Sequence, residues 1–257
     1  MALRPADIPL HRLKELENGA PTRNLMEQIA LNQSALWNCV LSSRADPPRE
    51  LRSPRLTDRM WSGAAGIYEE LGVQCLDVAI EWQSDTARAW GALSVGLIEG
   101  IPLAERLELA RPFAADQHFA VREWAWIAVR DHISAELSVA VALLTNWTSD
   151  NDENIRRFAS EATRPRGVWC KHIPLLKEQP DLAIQILEPL RSDPATYVQL
   201  SVGNWLNDAA KSRPEWVRDI CKRWLRQSST PHTARICKRG TRSIRAVGGG
   251  FAAPAPR

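Results

Sequence analysis

The sequence lacks any long hydrophobic run. No apolar stretch in its 257 residues approaches the ~20 residues that a membrane-spanning helix needs. Its first residues, MALRPADIPLHRLKE, also lack the apolar core of a secretory signal peptide. We therefore expect a cytoplasmic protein with no membrane contact.

The spaced pairs that bind metals or form disulfide frameworks are also missing. The five cysteines are scattered without a CxxC pair, and the five histidines form no HExxH or comparable pattern. An odd, scattered set of cysteines is typical of reduced, packed thiols. We expect no metal site and no cofactor.

The alternating pattern of β-strands is absent as well, and the pattern that is present is helical. From about Leu56 onward, apolar residues recur at helical spacing, and the connections contain Pro, Asp, Ser or Thr, which stop and cap helices. The N-terminal region is helix-poor at first, with one helix predicted around residues 22–41. The further predicted helices cover residues 60–71, 76–83, 86–98, 103–113, 121–132, 137–147, 153–163, 181–190, 197–210 and 215–227.

Three of these helices share one frame with the residues before them. An aspartate is followed, five residues later, by Val or Ile and then by Arg or Gln, with starts 34 and 43 residues apart. This pattern resembles the signature of HEAT repeats and predicts an all-α fold, an α-solenoid of HEAT-like helical repeats with a concave groove. The three copies begin at Asp116, Asp150 and Asp193, and a weaker fourth contains Ala234 and Arg235.

The repeat frame also predicts a structural role for its arginines. The aspartate caps the second helix, and the arginine one turn later can hydrogen-bond an aspartate of the neighbouring repeat. We interpret Arg122 and Arg156 in this way. Residues 1–55 are interpreted as an N-terminal helical cap and linker, 56–245 as the repeat array, and the Gly/Ala/Pro-rich residues 246–257 as a disordered tail.

Charge is unevenly distributed along the chain. Residues 213–245 contain ten Lys/Arg and two acidic residues, a net charge of +8, whereas the whole chain has only +3. Such asymmetry favours a polyanionic partner, most simply nucleic acid. The alternative is a solvated surface that happens to be basic.

Polar residues follow one stripe of the second helices. Offsets of 2, 6 and 10 from the Val/Ile position lie on one helix face, because side chains four apart stack. If the second helices line the concave surface, these side chains share one groove; alternatively, each is a solvated charge, and Arg157 pairs with Glu161. The polar members are Glu123, Asp131, Arg157, Glu161, Asn204 and Asp208, and all of them except Asp131 are assigned to the groove.

The opposite stripe is apolar and predicts the core. Its members are Val121, Trp124, Ala125, Ala128, Ile155, Phe158, Ala159, Ala162, Val198, Val202, Trp205 and Leu206.

Two tryptophans lie outside the apolar stripe. Trp126 shares a face with Glu123 and is interpreted as lining the groove. Trp169 follows Arg164 and Arg166 in the segment after a helix, where its ring can stack on a base or sugar. Packing of the ring against an arginine is the alternative.

The segment IRRFASEATRPRGVW resembles the bacterial alkylpurine DNA glycosylases built of HEAT-like repeats, the AlkC/AlkD group. SDPATYVQLSVGNWLNDAAKSRPEWV is similar to the following repeat of the AlkC branch, whereas the VREWAWIAVRDHI helix departs from it. The resemblance implies excision of N3- or N7-alkylated purines from duplex DNA. We expect the protein to be a monomer.

The resemblance also implies roles for particular residues. Glu161 and Asp208 match acidic positions of the AlkC groove, and Trp169 matches the aromatic of its exit loop. Glu123 lies close, by helix register, to the catalytic aspartate of the AlkD branch, although Phe119 stands where that branch has Trp.

We therefore predict Glu123, Glu161 and Asp208 as catalytic residues. A DNA-binding protein without excision activity and a protein-interaction solenoid are the alternatives. The residues predicted to contact DNA are Arg157, Arg164, Arg166, Trp126, Trp169, Asn204, Lys211, Lys222, Arg235 and Lys238.

Overall fold

The helical periodicity of the sequence produces an all-α structure. The computed structural model describes residues 4–41 and 45–247, with side chains up to residue 244, and this part of the chain contains no β-strand. The predicted fold class is thereby confirmed. The chain divides into two compact units, with the boundary between His132 and Ile133. Over the residues described, no helix is long and apolar enough to cross a membrane.

The first unit is built around one buried helix. Every residue of the helix Asp85–Ser94 is buried, because neighbouring helices pack against it from several sides. Single 3₁₀ turns cover Pro5–Asp7, Arg49–Arg52, Gly72–Gln74 and Val95–Leu97. The α-helices are α1 Leu10–Glu17, α2 Leu25–Ala30, α3 Gln33–Leu41, α4 Leu56–Leu71, α5 Cys75–Ile80, α6 Asp85–Ser94, α7 Leu103–Ala114 and α8 Phe119–Ala135, whose last turn crosses the boundary.

The second unit is an array of paired helices. A 3₁₀ turn, Pro180–Ala183, precedes the short helix Ile184–Leu187. The α-helices are α9 Leu137–Trp147, α10 Glu153–Ala162, α11 Pro174–Glu178, α12 Ile184–Leu187, α13 Thr196–Ala210, α14 Pro214–Gln227, α15 Pro231–Gly240 and α16 Arg242–Val247.

The second helix of each pair packs beside the next one. Helix α13 lies between α10 and α15, while α9 packs against α10 and α12, and α14 packs against α13 and α15. This stacking is the packing of a helical-repeat protein, in which each pair buries its apolar stripe against its neighbours. All twelve residues of the predicted apolar stripe are buried, which confirms the helix register read from the sequence.

A repeated hydrogen bond fixes the start of each second helix. In four helices, a side chain one turn inside donates to the backbone carbonyl six residues earlier: Arg88 to Trp82, Arg122 to Asp116, Arg156 to Asp150 and Gln199 to Asp193. The sequence frame missed the Arg88 copy because Trp82, not aspartate, occupies its first position.

The ion pairs between repeats confirm the predicted ladder for Arg156. Its Nε donates to Asp193 Oδ2 at 2.7 Å and its Nη2 donates to Asp193 Oδ1 at 3.1 Å. Within the first unit, Arg88 makes the same bidentate contact with Asp116. These bidentate ion pairs hold consecutive repeats in register.

The N-terminal region differs from its prediction. The segment predicted to be helix-poor contains α1, and the helix predicted around residues 22–41 is broken into α2 and α3. The break occurs because Leu31 leaves the helical conformation, with ψ at 127°, and Asn32 Oδ1 accepts a hydrogen bond from Ala35 N. The Arg59 guanidinium satisfies the freed carbonyl groups of Ile29 and Leu31.

One further predicted helix differs from the structure, and parts of two other predicted segments lie outside the residues that the structure describes. Residues 181–190 were predicted as one helix, but they contain the end of a 3₁₀ turn and the single turn of α12. Most of the predicted tail, residues 248–257, lies outside the described residues, as do residues 42–44 of the predicted linker.

Replacing Asp193 by Asn tests the ladder. The change removes the charged acceptor of Arg156, so we expect the free energy of unfolding to fall by about 2–3 kcal/mol. Asp219→Asn removes an exposed carboxylate 3.7 Å from Lys222 in the same unit, and should cost less than about 0.5 kcal/mol. Urea unfolding followed by circular dichroism measures both. Equal losses in the two variants would contradict the ladder.

Candidate active site

The end of α10 places several charged side chains together. Asp152 caps the start of this helix by accepting a hydrogen bond from Asn154 N. Arg157 and Glu161 then lie on the same face, one turn apart. The helix ends at Ala162, shortly before Pro165, and the Trp205 indole donates to the freed carbonyl of Thr163.

Glu161 is buried and its two carboxylate oxygens are both occupied. Oε1 accepts from Arg164 Nη1 at 2.6 Å, and Oε2 accepts from the Ser201 hydroxyl at 2.6 Å. Arg157 Nη2 lies 3.6 Å from Oε2, and its guanidinium stacks on the Tyr197 ring. Only 3% of Glu161 is exposed.

Arg164 connects Glu161 to Asp208. Its Nε and Nη2 both donate to Asp208 Oδ2, at 2.9 and 2.7 Å, while Nη1 donates to Glu161. Asp208 is also 3% exposed, and Lys211 Nζ lies 3.3 Å from its Oδ1. One planar cation therefore bridges two buried carboxylates, one from the α10 side and one from α13.

These charges set the ionisation of the cluster. Burial by itself raises the pKa of Glu161, but the charges of Arg157 and Arg164 and the Ser201 hydrogen bond outweigh it and hold that pKa below its usual value. Burial lowers the pKa of Arg164, but the two carboxylates outweigh it and raise that pKa. At neutral pH, Glu161 is therefore an anion, suited to electrostatic stabilisation and not to proton donation.

The segment after α10 forms a closed loop with an exposed aromatic tip. Ile173 N donates to Pro165 O at 3.1 Å and closes the loop at its base. A Cβ on Gly167 would lie 2.7 Å from the backbone oxygen of Cys170, so this close turn requires glycine. At the tip, Trp169 is 47% exposed and Val168 is 75% exposed.

Arg166 ties the same loop to α13. Its Nε donates to Asp208 O at 3.2 Å and its Nη2 donates to Ser212 Oγ at 2.7 Å. The loop that carries Trp169 is thus anchored at Asp208, the residue whose carboxylate binds Arg164.

The second unit thus brings together Arg157, Glu161, Arg164, Arg166 and Asp208, with Lys211 at the edge and Trp169 in the loop above. Sequence reasoning missed Ser201 and Tyr197. A hydroxyl within the otherwise apolar run LSVG is the signal that could have identified Ser201. The pairing of Ser201 with Glu161 depends on the packing of α10 against α13.

Two predicted residues lie in the first unit, on α8. Glu123 Oε2 accepts a hydrogen bond from Trp126 Nε1 at 3.0 Å. Trp126 is only 4% exposed, and the Arg130 guanidinium lies over its ring. In this conformation the Trp126 ring orients Glu123 and offers little surface for stacking on DNA, contrary to its predicted position lining the groove. The catalytic role of Glu123 stays a prediction.

The remaining predicted DNA contacts lie on three helices. Asn204 is on α13 and accepts a hydrogen bond from Arg239. Arg235 and Lys238 are exposed on α15. Lys222 is exposed on α14, where it lies 3.7 Å from Asp219.

Comparisons with known proteins identify the class to which this arrangement is similar. Residues 120–236 match the family described as DNA alkylation repair enzyme. This segment contains both bridged carboxylates and the exposed loop. The resemblance to AlkC/AlkD-type DNA alkylation repair proteins, noted in the sequence, is therefore confirmed.

One curated relative and two solved structures show how far the similarity extends. The chain is 34% identical over 197 residues to the uncharacterized protein YhaZ of Bacillus subtilis strain 168, an alignment that covers 74% of this chain and 54% of YhaZ. The chain thus spans about half the length of that relative.

The solved structures share the fold. Pseudomonas fluorescens alkylpurine DNA glycosylase AlkC, bound to DNA containing an abasic-site analogue, matches with a TM-score of 0.63 and 22% identity over 95% of this chain and 65% of AlkC. AlkD2 from Streptococcus mutans matches with a TM-score of 0.58 and 23% identity over 71% of this chain and 87% of AlkD2. At these identities, the likeness establishes the HEAT-like helical fold.

Replacing Glu161 by Gln tests its ionisation. A carboxyl group with a lowered folded-state pKa stabilises the fold above its ordinary pKa of 4.5, and this contribution is lost as pH falls through the folded-state pKa. Below pH 4.5, the wild type should therefore lose unfolding free energy more steeply than Glu161→Gln. Urea unfolding at a series of pH values measures this.

Glu153→Gln, an exposed change on the same helix, provides the matched control. Its profile should follow the wild type. Parallel profiles for the wild type and Glu161→Gln would show that Glu161 is not held as a stabilised anion.

Proposed function

We propose that this protein is a DNA glycosylase that releases cationic N3- or N7-alkylated purines from duplex DNA. The observation that carries the proposal is the pair of buried carboxylates, Glu161 and Asp208, bridged by one cation beside an exposed tryptophan loop. The match of residues 120–236 to DNA alkylation repair enzymes supports it.

The chemistry of such a lesion suits an ionised carboxylate. An alkylated purine already carries positive charge, so it leaves with the electron pair of the N-glycosidic bond without being protonated by the enzyme. Positive charge then develops on the deoxyribose, and water adds at C1′ and gives up a proton to the surrounding solvent. An anion held close to the sugar stabilises that charge, and the lowered pKa of Glu161 keeps it in the required form.

The position of Arg164 gives this proposal a further step. Its side chain is 15% exposed, whereas the side chains of Glu161 and Asp208 are each only 4% exposed. We infer that the carboxylates become accessible when Arg164 turns outward. A cationic purine has the charge and planarity of a guanidinium, so it can replace Arg164 without leaving the carboxylates uncompensated, which a neutral purine cannot do.

The loop above the cluster provides the aromatic surface. Trp169 is exposed, and cation–π contact with an electron-rich indole ring favours a positively charged base or sugar. Arg166 fixes the loop against α13 and leaves its tip open.

Single-turnover release of 7-methylguanine and 3-methyladenine from methylated duplex DNA tests the role of the carboxylates. We expect Glu161→Gln and Asp208→Asn each to slow release about 100- to 1,000-fold, because each removes a charge that stabilises the transition state. Glu153→Gln should release bases at the wild-type rate. Wild-type rates in both site variants, with thermal unfolding unchanged, would overturn the proposed site.

Arg164→Lys tests the resident-cation step. This change keeps a positive charge beside the carboxylates but removes the planar group that bridges them. We expect the release of cationic bases at saturating DNA to fall by less than about tenfold, compared with about 100-fold or more for Glu161→Gln. A loss as large as that of Glu161→Gln, in protein that remains folded, would show that the Arg164 guanidinium itself is required for the chemistry.

Binding without excision is the second candidate function. The exposed basic residues of α14 and α15 favour it, because they suit a polyanion irrespective of chemistry at Glu161. Salt-sensitive binding to duplex DNA without base release by the wild type would select this alternative.

A further inference from the structure

Helix α15 and the start of α16 present a row of arginines beside α13. Arg235 and Arg239 are one turn apart on α15 and therefore share a face. Arg242 begins α16 and is exposed.

The partners of two of these arginines are neutral amides. Arg235 Nη1 donates to Gln199 Oε1 at 2.7 Å, and Arg239 Nε donates to Asn204 Oδ1 at 2.8 Å. Gln199 is itself fixed, because its Nε2 donates to the carbonyl oxygens of Asp193 and Pro194. An amide orients a guanidinium without cancelling its charge.

Other arginines of the same unit are held differently. Arg156 is paired with Asp193, and Arg164 is paired with Glu161 and Asp208. Their charges are largely neutralised within the protein. Arg235 and Arg239 are also held by direct hydrogen bonds, but their positive charges remain available to a ligand.

The packing of α15 on α13 further restricts Arg239. A Cβ on Gly203 would lie 2.9–3.0 Å from the Cβ, Cγ and Cδ atoms of Arg239, so the glycine lets the arginine stem lie flat across α13. Burial lowers the pKa of Arg239, and the nearby charges of Arg242 and Arg164 lower it further. The geometry at Gly203 holds Arg239 against α13, and its positive charge together with that of Arg242 favours an anionic ligand.

We propose that Arg235, Arg239 and Arg242 bind neighbouring phosphates of one DNA strand and thereby align that strand with the Glu161–Asp208 site. Guanidinium groups suit this role because they donate two parallel hydrogen bonds to phosphate oxygens. The choice of duplex DNA as the ligand rests on the proposed function. Gln199 and Asn204 are positioning residues in this row.

Asn204→Asp tests the proposal without removing an arginine. The change is nearly isosteric and places a carboxylate against Arg239, so the protein should remain folded while the charge of Arg239 is neutralised. We expect weaker binding to an unmodified 25-base-pair duplex, and a slope of log K against log[salt] that is smaller by about 0.9. Fluorescence anisotropy at several salt concentrations measures both quantities.

Asn146→Asp is the matched control, because it adds the same charge at an exposed position of α9 in the same unit. Its affinity and salt slope should remain near those of the wild type. Equal effects of Asn146→Asp and Asn204→Asp would show that the change in net charge alone weakens binding, and would overturn the proposal.

Arginine substitutions complete the test. Arg235→Gln and Arg239→Gln should each reduce the salt slope by about 0.9, whereas Arg52→Gln, at an exposed position of the first unit, should not. Unchanged slopes in both α15 variants, or the same reduction in Arg52→Gln, would contradict the row.

This experiment is independent of base excision. Because the duplex is unmodified, a protein that releases no bases can still show the predicted slopes, in which case the proposed activity fails and the phosphate row survives. If the protein releases bases but the α15 variants leave the salt slope unchanged, the proposed activity survives and the phosphate row fails.

Discussion

The two-sided contact of Arg164 with Glu161 and Asp208 is the interaction on which the second unit most depends. Glu161 and Asp208 are each 3% exposed, and burying an anion is costly unless a counter-charge and hydrogen bonds compensate it. Arg164 supplies three of these bonds, and Ser201 supplies another. The contact also connects the end of α10 to α13, so the electrostatics of the cluster and the packing of consecutive repeats are satisfied by the same side chain.

The arginines of this unit show how the partner determines the role of a charge. Arg156 meets an aspartate of the next repeat and holds the array in register. Arg164 also meets carboxylates, but its own side chain is partly exposed at the edge of the cluster. Arg235 and Arg239 meet amides, which fix their direction and leave their charge available.

Much of the fold was predictable because it follows from helix periodicity. The apolar stripe that includes Val198, Trp205 and Leu206 is buried as its spacing requires. Arg156 meets Asp193 because the repeat frame places an aspartate at the start of the next second helix. The break between α2 and α3 was not predictable in this way, because Arg59, distant in sequence, satisfies the carbonyl groups that the break exposes.

The candidate site was predictable only in part, for a similar reason. One stripe identified Glu161 and Asp208, but the stripe places side chains on a helix and does not show what covers them. Arg164 was assigned to DNA, whereas its guanidinium binds the two carboxylates in the structure. The burial of Trp126 likewise depends on the packing around α8, which the position of Trp126 on the same helix face as Glu123 did not reveal.

The claim that this cluster excises cationic bases is tested most directly by mass spectrometry of free bases released from dimethyl-sulfate-treated duplex DNA, with abasic sites counted in the same sample. Wild-type protein should release methylated purines and leave one abasic site for each base, with no release of unmodified purines. Methylated DNA that remains intact in the presence of folded, DNA-binding protein would contradict the claim.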